Sequence, residues 1–205
     1  MKKLIPLLAF AVVILTAAAQ DNPNPSVYGD IPDYGEKYLS PDFVKLDKKA
    51  GLLVACRTGD ELLKINPETK AVESRIALGG HPSGIAVSPD GKFAYVTIAA
   101  PKGEILKISL GDSKIAERAP AGHMPRAVII SADGKTLYFA NQFENVVRAF
   151  DSKTLKEKAR GKAVRDPFAL ALSKDGSKLF AANQLPESKG GLYEENIGAA
   201  VSGFD

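Results

Sequence analysis

Pro82-Ser83-Gly84-Ile85-Ala86-Val87-Ser88-Pro89-Asp90-Gly91-Lys92-Phe93-Ala94-Tyr95-Val96-Thr97 is an apolar run, a Ser-x-Asp-Gly turn and a second apolar run with an aromatic residue inside it. Asp-Gly between two apolar runs predicts a tight hairpin, because the glycine accepts the positive φ that such a turn requires. The pattern returns as Pro125-Arg126-Ala127-Val128-Ile129-Ile130-Ser131-Ala132-Asp133-Gly134-Lys135-Thr136-Leu137-Tyr138-Phe139-Ala140-Asn141. It returns again as Pro167-Phe168-Ala169-Leu170-Ala171-Leu172-Ser173-Lys174-Asp175-Gly176-Ser177-Lys178-Leu179-Phe180-Ala181-Ala182-Asn183. A degenerate copy runs from Pro41 to Cys56. The leading prolines Pro41, Pro82, Pro125 and Pro167 are 41, 43 and 42 residues apart. Agreement among three independent spacings marks one supersecondary unit used repeatedly.

Each unit continues with a third strand: Leu62–Asn66, Ile105–Ser109 and Val146–Asp151. A more polar fourth follows at Ala71–Ile76, Ile115–Ala119 and Leu155–Ala159. Four antiparallel strands at a period near 42 residues predict the blades of an all-β propeller, and no segment of the repeat region has sustained helical periodicity. The expected organisation is 1–19 as a signal peptide, 20–40 as an extended lead-in and 41–205 as propeller repeats. About four blades are visible, beginning near Pro41, Pro82, Pro125 and Pro167. Phe204-Asp205 corresponds to Phe150-Asp151, the end of a third strand, so the ring is expected to be incomplete, a truncation of a longer propeller. A four-bladed ring closed by residues 28–40, or a half-ring paired with another chain, are the alternatives. An open arc would expose two apolar blade faces.

Residues 82–97 resemble the YVTN-type propeller repeat. The tetrad that names that family stands here as Tyr95-Val96-Thr97-Ile98, Tyr138-Phe139-Ala140-Asn141 and Phe180-Ala181-Ala182-Asn183. The resemblance covers roughly residues 41–205. It implies a ring of seven blades in an exported bacterial protein, and the repeat also occurs in lactonase-like propellers and ahead of di-haem cytochrome c peroxidase domains. It does not select among functions, because one propeller scaffold hosts many unrelated activities.

The chain is 45% hydrophobic and 25% charged, with 18 glycines and 13 prolines, which is too apolar for a disordered chain. The single cysteine, Cys56, excludes an internal disulfide and an attached c-type haem; it is expected to be a small buried strand residue. The absence of tryptophan removes the Trp-Asp signature of WD40 repeats. Lys2 and Lys3 precede an apolar run from Leu4 to Ala19 that ends in Ala17-Ala18-Ala19, the pattern of a secretory signal cleaved after Ala19. About sixteen residues is short of the ~20 that span a bilayer, so a periplasmic or secreted chain without stable membrane insertion is expected. Without the two lysines, 25 basic residues face 24 acidic ones, and nothing in that balance points to nucleic acid.

In a propeller, the loops between blades and those between second and third strands share one face, and the Asp-Gly hairpins occupy the other. On the first face the pattern places His81, His123 and Arg165 just before inner strands, and Arg57, Asn141 and Asn183 at the ends of second strands. Arg126 lies just inside an inner strand, and the insertion Leu185–Gly198 joins the same face. These are the candidate ligand-binding residues at the channel mouth, for an unidentified protein or small molecule. No carboxylate is expected beside the histidines at ligand spacing, so neither a metal nor another cofactor is assigned. Asp90, Asp133 and Asp175 recur in every turn, which assigns them to the turn and not to catalysis. Gly134-Lys135-Thr136 joins two strands and is no phosphate loop. Tyr95, Tyr138 and Phe180 share one blade position and are expected to pack between blades. Lys153, Lys156, Lys158 and Lys162 form a solvated outer edge. The expectation is therefore a non-enzymatic binding or scaffold module, the N-terminal part of a larger exported protein. The alternatives are a lactonase-like hydrolase or the propeller portion of a cytochrome-linked oxidoreductase.

Overall fold

The computed structural model describes residues 39–184 and 200–204. They form strands β1 (Pro41–Asp47), β2 (Gly51–Cys56), β3 (Glu61–Ile65), β4 (Val72–Ala77), β5 (Pro82–Val87), β6 (Phe93–Ile98), β7 (Gly103–Ser109) and β8 (Lys114–Gly122). They continue as β9 (Pro125–Ile130), β10 (Thr136–Asn141), β11 (Val146–Asp151), β12 (Glu157–Lys162), β13 (Pro167–Leu172), β14 (Leu179–Asn183) and β15 (Ala200–Phe204). Among the described residues there is no helix. Three four-stranded antiparallel sheets run β1-β2-β3-β4, β5-β6-β7-β8 and β9-β10-β11-β12, and a fourth is β13-β14-β15. Each sheet is a blade, and the first strands of successive blades lie side by side, β1 on β5, β5 on β9 and β9 on β13. The architecture is a partial β-propeller.

The hairpin turns explain why the repeat is so regular. Ser88 Oγ donates to Asp90 Oδ1 at 2.6 Å, that carboxylate accepts Lys92 N at 3.0 Å, and Phe93 N donates to Ser88 Oγ at 2.9 Å. Gly91 takes φ +74°. Ser131-Asp133-Gly134 and Ser173-Asp175-Gly176 repeat the same bonds within their own turns. The first blade reaches a similar result with Asp47, which accepts Lys49 N and Ala50 N. Gly134-Lys135-Thr136 lies in one of these turns and joins β9 to β10.

Between blades the core is apolar. Leu53, Ala55 and Leu62 of blade 1 cluster with Ala94, Val96, Leu106 and Ile108 of blade 2. Tyr95 and Ile105 of blade 2 cluster with Leu137, Phe139 and Phe150 of blade 3, the last two rings meeting edge to face at 4.8 Å. Tyr138 and Val147 of blade 3 meet Leu179 and Ala181 of blade 4. Glycine admits some of this contact: a Cβ on Gly84 would stand 2.8 Å from the backbone nitrogens of Ala127 and Val128 in the next blade.

Three details differ from the sequence expectation. Phe180 is 38% exposed, whereas Tyr95 at the same blade position is 3% exposed. Each such ring packs on the blade that follows, and among the described residues no blade follows the fourth. The outer strand of blade 3 starts at Glu157, not Leu155, because Leu155 adopts φ +49° in the preceding turn and buries its side chain there. Third, Asp60 stands beside His81, as described below. The signal peptide, the lead-in up to residue 38 and the insertion Leu185–Gly198 lie outside the described residues.

Candidate functional site at the channel mouth

One backbone bond recurs four times on the expected face. The residue after each second strand donates its N–H to the carbonyl of the residue before each leading proline: Arg57 to Ser40, Ala99 to His81, Gln142 to Met124, and Gln184 to Asp166. These bonds tie the loops so that side chains from two sequence-distant segments meet at each blade junction.

At the junction of blades 1 and 2, His81 Nδ1 lies 2.7 Å from Asp60 Oδ1 and 3.0 Å from the Arg57 carbonyl. Both neighbours are acceptors, so Nδ1 carries the hydrogen and Nε2 faces outward on an exposed ring. Asp60 holds φ +53°, a conformation that Asp and Asn tolerate better than most residues. The Arg57 guanidinium is 3.6 Å from the Asp42 carboxylate. Arg57 and His81 are thus brought together, with a carboxylate the sequence did not reveal.

At the junction of blades 2 and 3 the polar groups hold one another. Asn141 is fully buried; its Nδ2 donates to the carbonyls of Ala121 and His123, and its Oδ1 accepts Arg148 Nε. Arg148 also donates to Glu144 and to Glu157. Glu144 accepts His123 N at 2.6 Å. Burial works against the charge on Glu144, but the His123 N–H and the Arg148 guanidinium outweigh it and hold its carboxyl below the ordinary value. The Asn141 side chain is thereby engaged within the protein. Its counterpart Asn183 is also buried, with Nδ2 donating to the Ala181 carbonyl. His123 instead presents its ring to Phe143, centroids 5.4 Å apart. Cys56, at the corresponding strand position of blade 1, is buried, and burial pushes its thiol up to about 11, so it is inert.

The junction of blades 3 and 4 is different. Gln142, Phe143, Asn145, Arg165 and Asp166 line a cavity of about 180 Å³. Phe143 is 59% exposed, a large apolar surface left open beyond its contact with the His123 ring. Asn145 Oδ1 accepts Asp166 N at 2.7 Å, which fixes the loop with Asp166 at φ +53°. One carboxylate oxygen of Asp166 is buried without a hydrogen-bond partner, and so is Nε of Arg126, one residue into the adjoining inner strand β9. An unmet buried polar atom costs about 1–3 kcal/mol, so two at one junction call for an explanation.

The predicted residues therefore divide among three junctions, and the two histidines belong to different ones. Sequence reasoning missed Asp60, Gln142, Phe143, Glu144, Asn145, Arg148 and Asp166. The signal for two of them was present: Asp60 and Asn145 each immediately precede a third strand, where a residue tolerant of positive φ is needed. Among the described residues, no three His, Cys, Asp or Glu side chains gather as a metal site requires.

A family model, lactonase with a seven-bladed β-propeller, matches residues 57–151, a span that contains Asp60, His81 and His123. No curated protein matches the chain in sequence. Among solved structures, that of Kuenenia stuttgartiensis hydrazine synthase is similar with a TM-score of 0.72 and 22% identity, over 86% of this chain and 49% of that one. The structure of U3-55K and the RRP9 WD40 repeats each give 0.64 and 16% identity, over 73% of this chain and 47% of theirs. The chain spans about half the length of the solved structures it matches. At these identities the likeness is one of fold, and the class it defines is the β-propeller.

Proposed function

We propose that this chain is an exported, non-enzymatic β-propeller module that binds a ligand on its channel-mouth face at the junction of blades 3 and 4. The observation that carries the reading is the recess between Phe143 and Arg165, which joins an exposed aromatic ring and an exposed cation with the polar residues Gln142, Asn145 and Asp166. Apolar walls with a few convergent polar groups are the usual make-up of a ligand site. At the other two junctions the polar side chains are largely occupied by the protein itself. Immobilised chain incubated with a metabolite extract should retain a small molecule that a Phe143→Ser/Arg165→Gln variant fails to retain. Equal retention by both would overturn the assignment. Export rests on Lys2, Lys3 and the apolar run to Ala19, and residues 1–40 fused to alkaline phosphatase should give periplasmic activity.

One observation favours a second reading, a lactone hydrolase. The Asp60–His81 pair falls inside the span that matches the lactonase model. A carboxylate on Nδ1 orients the ring and leaves Nε2 to take a proton from a water attacking a lactone carbonyl. Base uptake in a pH-stat with a panel of sugar lactones decides it: turnover abolished by His81→Ala supports the hydrolase, and no turnover by the wild type removes it.

A further inference from the structure

Five side chains line the recess at the junction of blades 3 and 4, and their chemistry narrows what it can hold. Arg165 is exposed and makes no ion pair among the described residues, and Asp166 beside it brings the opposite charge, so the lining carries no net charge. Gln142 is only 9% exposed, yet its amide makes no hydrogen bond among the described residues. Unlike Arg126 Nε and Asp166 Oδ1, its amide oxygen and nitrogen are not sealed from water, so a ligand can reach them. Asn145 has its Oδ1 engaged by Asp166 N, which leaves Nδ2 to donate elsewhere. Phe143, 59% exposed, adds an aromatic surface to the same wall. An anion would gain from Arg165 and lose to Asp166, and a cation would do the reverse; a neutral ligand escapes both conflicts. That ligand must meet an amide that both donates and accepts, together with groups that only donate. Hydroxyls answer both demands, whereas a carbonyl only accepts. It must also offer an apolar surface to Phe143. A pyranose has both, with hydroxyls around its rim and C–H groups on its face, whose slight positive charge suits the negative face of an aromatic ring. The volume of about 180 Å³ is below the ~300 Å³ at which pockets for larger ligands begin, and it suits a single ring.

Resting on the binding-module reading, and specifying its ligand class, we infer that the recess takes a neutral pyranose, one C–H face against Phe143 and hydroxyls toward Gln142, Asn145 and Arg165. No bond is made or broken; the sugar is held and released.

Saturation-transfer NMR titration of the full chain with the methyl glycosides of D-glucose, D-galactose and D-mannose tests it, with cyclohexanol and glycerol as controls. These glycosides contain no lactone, so hydrolysis at His81 cannot produce the signal. At least one glycoside should bind saturably. Cyclohexanol keeps a ring with one hydroxyl and glycerol keeps hydroxyls without a ring, so each should bind about tenfold more weakly than that glycoside. Phe143→Ser should weaken the glycoside by about tenfold and Phe143→Tyr should restore it, with the thermal midpoint unchanged in both because the ring is exposed. Gln142→Leu should erase the margin over cyclohexanol; general misfolding would instead weaken both compounds together. No saturable glycoside, controls that bind as well as the glycosides, tighter binding of the matching uronic acid, or affinities untouched by Phe143→Ser and Gln142→Leu would overturn the pyranose assignment. If the glycosides fail while an extract ligand still depends on Phe143 and Arg165, the pyranose assignment falls and the binding-module reading stands. If neither binds, both fall.

Discussion

Arg148 joins three partners that lie apart in sequence: Asn141, Glu144 and Glu157. Its side chain is only 11% exposed, so replacing it leaves the Asn141 amide oxygen and one Glu144 carboxylate oxygen without their donor, while Glu157 keeps Arg160 and Glu144 keeps the His123 N–H. Breaking a fully buried pair costs about 3–5 kcal/mol; the carboxylates here are 30% and 25% exposed, and water recovers part of that. Arg148→Met should therefore lower stability by about 2–3 kcal/mol in urea unfolding, and adding Glu144→Gln should restore part of the loss. Additive losses in the double variant would show that the network is not a unit. Asn141, read from sequence as a ligand contact, shows why such a reading fails at the scale of a single residue. Position on a face is local information, but whether an amide is free depends on what the next loop brings to it.

The hairpin is the element whose chemistry was open in the sequence. Asp175 is held down to about 2 from 3.8, first by the Ser173 hydroxyl and then by the Ser177 backbone and hydroxyl. Asp90 and Asp133 are lowered first by the hydroxyls of Ser88 and Ser131. A depressed folded pKa contributes stability that is present above the unfolded value and lost as the pH falls through the folded one. For Asp175 that window runs from about 3.8 down to about 2. Stability measured against pH should fall across it, and an Asp90→Asn/Asp133→Asn/Asp175→Asn variant should show a shallower fall there. An unchanged acid limb would mean these turns do not govern acid unfolding. The outer strands shifted most from the expected bounds: that of blade 2 runs from Lys114 to Gly122, and that of blade 3 starts at Glu157, because the Leu155 side chain is buried from the turn before it.

At the scale of the molecule, blades are held by the faces they present to each other, and one blade position reports on that directly. Tyr95 is buried against blade 3, and its hydroxyl donates to the Ser152 carbonyl at 3.1 Å. Phe180, its equivalent two blades on, is 38% exposed. Tyr95→Ala should cost about 3–5 kcal/mol, the range for truncating a large core aromatic, and Phe180→Ala, whose ring is partly open to water, about 1–2 kcal/mol. Thermal and urea unfolding of the two variants side by side check this, and equal costs would show that Phe180 is packed in solution.

The sequence by itself determined the strands, their turns, the period and the order of the blades, because alternation and Asp-Gly turn chemistry act within about fifteen residues of chain and the same local pattern is written anew in each repeat. Periodicity also assigns His81, His123 and Arg165 to equivalent positions just before inner strands, with Arg126 just inside one. Only the tertiary structure decided which of them have partners and which are left open. Asp60 reaches His81 across 21 residues, and Asn145 holds Asp166 across another 21. Arg126 and Asp166 come to one junction only because β9 lies beside β13. Such meetings are fixed by the packing of one apolar blade face on the next, a long-range compromise of shape that no local pattern encodes.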